Sequence, residues 1–329
     1  GGGRVVAGGW GGRARRAAGR GGAGAVGVPV RGEGAAGGGG GGGGVGRSAA
    51  GLDGEVPAAM AEAKAGFGDD GLYIEADIEN ARHIEVQILG DGQRAIHLYE
   101  RECSLQRRRQ KVWEEAPASM LPEGVRADLC ASAVRLAESV GYRGAGTLEY
   151  LYDPQREAFY FIEMNTRIQV EHPVSEMVTG IDLMREMLHI AGGAPLRHAQ
   201  SDIACRGHAI EVRINAENPE KNFFPAPGPI DTLVLPGGPG VRFDSGVYEG
   251  YKVPPYYDSL LGKLIVRYET RDAAITPMAA ALPEMRIGPG PTTLLLHRAL
   301  CQDRGLRRGD VSTQWLENWL ACWLERKAS

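Results

Sequence analysis

Residues 162–172 read Ile-Glu-Met-Asn-Thr-Arg-Ile-Gln-Val-Glu-His. Polar and apolar side chains alternate, the pattern of a strand whose successive residues point to opposite faces. Glu163, Asn165, Arg167, Gln169 and Glu171 then share one face. Ile162, Met164, Ile168 and Val170 share the other, with Thr166 its polar member. Two readings stand side by side. The polar file is the solvated face of an amphipathic strand, or it holds a divalent cation at one end and an anion and a proton acceptor at the other.

The preceding residues bear on that choice. Residues 147–152 have strand character, Asp153-Pro154 marks a turn, and 158–170 reads as the return strand. Antiparallel pairing about 153–157 sets Glu149 opposite 161–163. Two carboxylates side by side need a positive charge between them. Mg²⁺ or Mn²⁺ would supply it, with Asn165 as a further oxygen ligand.

The 329 residues are 43% hydrophobic with net charge −4, so nothing global points to nucleic acid or to a membrane. Five scattered cysteines without a Cys-x-x-Cys pair read as reduced thiols of a cytoplasmic protein. About half of the 49 glycines precede residue 51, where Trp10 is the one aromatic residue and Glu33 the one acid. Such a stretch buries too little apolar surface to offset chain entropy. Residues 1–51 therefore read as a low-complexity leader or a degraded nucleotide-covering lid. An arginine–glycine nucleic-acid arm is disfavoured for want of interleaved Phe or Tyr. A strand at 26–30 followed by the glycine run 37–44 has the order of a phosphate-covering loop, although the run is longer than such loops need.

Helical character is expected at 55–67, 121–140, 180–191 and 313–324, and at 273–282 with Pro277 breaking or bending it. Strands are expected at 71–78, 82–89, 95–99, 208–215 and 261–268, with proline- and glycine-punctuated short strands between 225 and 255. Glu211 and Arg213 would share a strand face. The cluster at 100–115 sets Arg101, Arg107, Arg108, Arg109 and Lys111 against Glu100, Glu102, Glu114 and Glu115. It reads as a solvated loop by default, or as an anion-binding rim in which Lys111, Gln106 and Gln110 grip phosphate or carbonate. Trp315, Trp319 and Trp323 form a stripe that reads as core.

Several motifs then occur in one order: Arg82-His-Ile-Glu-Val-Gln87, Gln106-Arg-Arg-Arg-Gln-Lys111, Gly141-Tyr-Arg-Gly-Ala-Gly-Thr147, Glu163-Met-Asn-Thr-Arg-Ile-Gln-Val-Glu-His-Pro173, Glu211-Val-Arg-Ile-Asn-Ala-Glu217 and Pro254-Pro-Tyr-Tyr-Asp-Ser259. Together they resemble biotin carboxylase, the ATP-grasp component of biotin-dependent acyl-CoA and pyruvate carboxylases. The resemblance implies an α+β chain: an ATP-grasp fold with a degraded lid, then a biotin carboxylase C-terminal domain, with boundaries at 52–204 and 205–325. It implies that ATP and bicarbonate form carboxyphosphate, whose CO₂ unit passes to biotin on a carrier protein or domain. Glu149, Glu163 and Asn165 would hold Mg²⁺ or Mn²⁺. Glu171 would be the base, and Arg167, Lys111, Gln169 and the backbone of Val170 would grip bicarbonate. Arg213 would steady the enolate-like biotin oxygen. Glu75, Ile78, His83, Gln106 and Arg109 would contact the nucleotide. A carboxyltransferase and a second copy of the chain are the implied partners.

The chain departs from the family in places. The family's first domain of roughly a hundred residues has no counterpart here. Glu33 stands where a phosphate-contacting lysine is expected, Ala76 and Asp77 stand where Lys and an aromatic residue are usual, and Arg109 replaces a ribose-side histidine. A second reading follows, a non-catalytic fragment without a competent ATP lid. A frame error in the coding sequence would also account for the leader.

Overall fold

A computed structural model describes residues 9–10, 30–34, 45–46, 52–68, 72–76 and 78–328. They fall into two compact units, Gly1–Glu79 and Asn80–Ser329. The first holds a four-stranded antiparallel sheet, in the order Gly9–Trp10, Leu72–Ala76, Val30–Gly34, Val45–Gly46, and a helix at Leu52–Phe67. Glu33 pairs with Tyr73 and Arg31 with Glu75 in the backbone register. Residues 26–29, the glycine run 37–44 and Asp77 lie outside the described residues, as do the side chains of Glu33, Glu75 and Ala76.

The second unit is built on one antiparallel sheet of eight strands. In chain order these are β1 (Arg82–Asp91), β2 (Ala95–Arg107), β3 (Gln110–Ala116), β4 (Arg143–Asp153), β5 (Ala158–Asn165), β6 (His208–Asn215), β7 (Val241–Ser245) and β8 (Leu260–Tyr268). Across the sheet they run β7-β8-β6-β3-β2-β1-β4-β5.

Period-two alternation gives the sheet two different faces. Ile84, Val86 and Ile88 of β1 and Leu148, Tyr150 and Tyr152 of β4 bury against α1 (Glu123–Ser139) through Leu129, Ala133 and Ala137. Ile210, Val212 and Ile214 of β6 pack with the C-terminal helices: α4 (Arg271–Glu284), α5 (Leu294–Leu300), α6 (Arg304–Arg308) and α7 (Trp315–Ala328). The intervening residues face the other way: His83, Glu85 and Gln87 on β1, Glu149 on β4, Glu211 and Arg213 on β6. Above that face lie α2 (His172–Thr179) and α3 (Leu183–Ala191), with Val174 and Val178 on Ala209 and Ile265, and Leu183 and Ile190 near Leu89 and Ala145.

Four expectations are corrected. The strand of the polar file stops at Asn165, and α2 begins at His172. Pro173, in the first turn of α2, has no N–H to add to a ladder and is preset for a helix start. The segment 100–115 is no solvated loop: it is most of β2 and β3, and Glu100, Arg101, Glu102, Glu114 and Glu115 are buried. The helix expected at 180–191 begins at Leu183 as α3, because Gly180, with φ 76° in the left-handed region, caps the preceding α2. Pro277 does not end α4, because Ile275, Met278, Ala281 and Leu282 all bury on the sheet and hold the helix across the lost bond. The tryptophan stripe is core-facing as expected, with Leu316, Leu320 and Trp323 buried and the three indoles stacked 6.0 and 5.6 Å apart. Among the described residues no helix is long and apolar enough to cross a membrane.

Candidate active site

Backbone register assembles the site. Glu163 of β5 is the partner of Glu149 on β4, Glu149 of Glu85 on β1, and Glu85 of Arg101 on β2. Three carboxylates and a guanidinium thus lie in one row across four strands. The expected juxtaposition of Glu149 with 161–163 is borne out at Glu163. Like charges so placed repel, and cations separate them.

Lys111, at the start of β3, reaches into this row. Its ammonium donates to Glu149 Oε1 at 3.0 Å, to Glu171 Oε1 at 2.6 Å and to Glu85. Burial alone would lower its pKa, but the surrounding acids, Glu85 foremost, hold it well above the ordinary lysine range. His83 places Nε2 3.1 Å from Glu85 and 3.2 Å from Glu149. Burial favours its neutral form. The hydrogen bonds to Glu149 and Glu85 outweigh that and raise its pKa to about 9. Glu149 moves the opposite way, to about 2, because His83 and Lys111 overcome the cost of burying it and the repulsion of Glu85.

Arg101, the guanidinium of the row, is fully buried. Its Nη2 donates to Glu85 at 3.0 Å, Thr147 at 3.1 Å and Gln169 at 3.1 Å, and its Nη1 to Gln87 at 2.6 Å and Ser175 at 3.0 Å. Gln169, positioned by Arg101, donates to Glu149 Oε1 at 2.8 Å. Glu171 is the N-cap residue of α2 and is 2% exposed. Arg213 crosses from β6, with Nη2 on Glu171 Oε2 at 2.9 Å and Nε on Glu114 Oε1 at 2.6 Å. The Val170 carbonyl accepts from Lys263 Nζ at 2.6 Å.

The geometry brings together Lys111, Glu149, Glu163, Asn165, Gln169, Glu171, Arg213 and His83. Arg167 is exposed on the turn between β5 and α2, with Nη1 3.3 Å from the Ile168 carbonyl. Gln106 is buried beside Lys111 in the β2–β3 register and donates to the Cys103 carbonyl at 2.8 Å. Arg109 sits on the exposed hairpin turn with φ 66°. Ile78 is half-buried in the first unit, and Glu75 is known there by its strand alone. Sequence reasoning missed Glu85, Gln87, Arg101, Glu114 and Lys263. Part of the signal was present, because Glu85 and Gln87 share a strand face with His83, whereas the pairing of Glu114 with Glu211 comes from long-range register alone.

The residues expected to hold a metal fit one. The Asn165 amide lies 2.9 Å from Glu149 and 3.2 Å from Glu163, so three side chains that carry oxygen donors converge. Rotating the amide by half a turn, which exchanges its oxygen and nitrogen, presents the oxygen to a cation with the rest of the side chain in place. An oxygen set of two carboxylates and an amide suits Mg²⁺ or Mn²⁺. Two other acid groups, His83–Glu85–Glu149 and Glu85–Cys103–Glu171, are close enough to share an ion. There the Lys111 ammonium already bonds Glu85, Glu149 and Glu171.

An antiparallel sheet with acids and a lysine on one face, beside a metal-fitting edge, agrees with the ATP-grasp fold that the motifs imply. Residues 11–199 match the family model of the carbamoyl-phosphate synthase L chain ATP-binding domain, and residues 211–318 that of the biotin carboxylase C-terminal domain. The chain belongs to the biotin carboxylase family. It is 50% identical over 275 residues to a biotin carboxylase of Haemophilus influenzae, covering 83% of this chain and 61% of that one. It superposes with TM-score 0.85 at 44% identity on the Campylobacter jejuni biotin carboxylase–βγ-ATP complex, covering 93% of this chain and 68% of that one. It also matches the biotin carboxylase domain dimer of Hydrogenobacter thermophilus 2-oxoglutarate carboxylase, bound to MgADP, ADP and bicarbonate. There the TM-score is 0.82 and the identity 43%, covering 91% of this chain and 66% of that one. The chain spans about three fifths of the length of the curated relatives it matches.

Proposed function

We propose that this chain is an ATP-dependent ligase that carboxylates biotin with bicarbonate through carboxyphosphate. The observation that carries the reading is the convergence of the Lys111 ammonium and the Arg213 guanidinium on the two oxygens of Glu171, beside the Glu149–Glu163 pair. The arrangement supplies cations for a transferring phosphoryl group and a carboxylate to receive a proton.

In this reading Glu171 takes the bicarbonate proton. Lys111, Arg167, Gln169 and the Val170 backbone orient the anion, and Arg101 holds Gln169 in place. Arg213 stabilises the negative charge that develops on the biotin ureido oxygen. Glu149, Glu163 and Asn165 would hold the divalent metal, which when bound neutralises phosphate charge. His83, Gln106, Arg109, Glu75 and Ile78 are assigned to the nucleotide. Residues 52–204 form the ATP-grasp part and 205–325 the C-terminal part, after a low-complexity segment at 1–51. The biotin belongs to a carrier protein or domain, a carboxyltransferase receives the carboxyl group, and two copies pair in a cytoplasmic enzyme.

The test is ADP release from ATP in the presence of Mg²⁺ and free biotin, with and without bicarbonate. The reading predicts release that requires bicarbonate. Absence of release at high protein concentration with metal present overturns it and leaves a non-catalytic member of the family.

A further inference from the structure

Behind Arg213 lies an arrangement that the reaction as described does not use. Glu114 of β3 and Glu211 of β6 are Cα partners, side by side on the covered face of the sheet, and each is 0% exposed. Glu114 Oε1 accepts from Arg213, while Glu114 Oε2 and both oxygens of Glu211 are buried without a hydrogen-bond partner among the described residues. Two carboxylates directly opposite one another, with three such oxygens, form a poor site for two negative charges.

The charged groups around the pair come from several elements. Arg213 lies on β6, Lys263 on β8, Lys111 on β3 and Glu171 at the head of α2. Most already have partners. Lys111 is held by Glu85, Glu149 and Glu171, and Lys263 by the Val170 carbonyl, with Asp244 3.9 Å away. Farther along α2, His172 is bonded to the Gln169 carbonyl and Glu176 to Arg242. Arg213 itself is divided between Glu114 and Glu171. One guanidinium therefore serves two acids before Glu211 is counted.

We propose that Glu211 stands in the working protein as a neutral carboxylic acid, and that the Glu114–Glu211 pair, carrying one negative charge, positions Arg213 against Glu171. Glu114 holds Nε, which fixes the plane of the guanidinium and delivers Nη2 to Glu171. The neutral Glu211 fills the space behind without competing for Arg213. Burial is the largest influence on both carboxyls: it raises Glu211 well above the usual carboxylate range, with Glu114 adding to the shift and Lys263 and Arg213 opposing it, and it raises Glu114 to about 7, where Arg213 opposes it. Glu114 and Glu211 are thus positioning residues, and their relevance to biotin rests on the role proposed for Arg213.

Two readouts on the full chain need no turnover. Infrared spectra should show a protonated-carboxyl band at neutral pH that Glu211→Gln removes. An unchanged band in that variant means Glu211 is ionised and overturns the proposal. A raised acid stabilises the fold fully below the ordinary carboxylate range, and that contribution is lost as pH rises through the raised value. The melting temperature of Glu211→Gln should therefore gain on the parent as pH rises above the ordinary carboxylate range. A gap that stays constant or closes overturns the proposal.

Where turnover is present, Glu114→Gln should lower biotin-dependent turnover at least 10-fold more than biotin-independent ADP release, with Glu114→Asp restoring part of the difference. Equal losses refute the positioning role. A protein that shows the Glu211 band but no turnover contradicts the proposed function and leaves Glu211 neutral.

Discussion

Replacing Arg101 with Met should unfold the second unit at markedly lower denaturant, because this guanidinium ties three strands and a helix together. Its nitrogens reach Glu85 and Gln87 on β1, Thr147 on β4, Gln169 before α2 and Ser175 within it. Methionine keeps much of the volume and removes every one of these bonds. Breaking a buried ion pair from one side costs about 3–5 kcal/mol, since the remaining charge stays buried. Glu85 keeps Lys111 and His83 as neighbours, which places the loss near the lower end, about 3–4 kcal/mol. For a unit of this size that is a fall in melting temperature of roughly 6–16 °C. Guanidinium unfolding followed by tryptophan fluorescence reads it, with Trp113 buried in the same unit. Pairing the change with Glu85→Gln in a double-mutant cycle should give a coupling above about 1 kcal/mol. A loss below about 1 kcal/mol would refute the assignment of Arg101 as the tie within the row.

Other perturbations have definite outcomes. Burial favours the protonated form of the Asp91 carboxyl, but the N–H groups of Arg94, Leu196 and Gln93 outweigh it and hold its pKa at about 2. That depressed value stabilises the fold above the ordinary aspartate range, and the benefit is lost as pH falls through about 2. Asp91→Asn should therefore cost about 1–2 kcal/mol at neutral pH and flatten the acid limb of a stability–pH curve. Gly180→Ala places a Cβ at φ 76° and should cost about 1 kcal/mol by thermal melting, with no loss of metal binding. Glu163→Gln together with Asn165→Ala should weaken Mn²⁺ binding, read by electron paramagnetic resonance, at least 10-fold while the melting temperature stays near that of the parent.

The site was partly legible because alternation and turns are local. Asp153-Pro154 and the period-two pattern on each side were enough to bring Glu149 to Glu163. The second half of the same file was not legible by that route. Arg167, Gln169 and Glu171 keep the alternation, but the strand ends at Asn165. Arg167 turns outward, while Gln169 and Glu171 are buried by the start of α2. Pro173 was the cue for that turn.

The cluster at 100–115 misled for a different reason. Dense charge ordinarily means solvent, and only long-range register pairs Arg101 with Glu85 and Glu114 with Glu211. Composition gives no sign of such pairing. The motifs resembling biotin carboxylase carried the family assignment where periodicity could not.

The most direct measurement of the central claim follows ¹³C from bicarbonate into biotin with ATP and Mg²⁺ present, for the parent chain and for Glu171→Gln. The account predicts labelled N-carboxybiotin from the parent and none from the variant, which should still fold cooperatively, at a lower melting temperature because Lys111 and Arg213 lose a buried charge partner. Label transfer by Glu171→Gln at the parent's rate would contradict it and place the proton acceptor elsewhere.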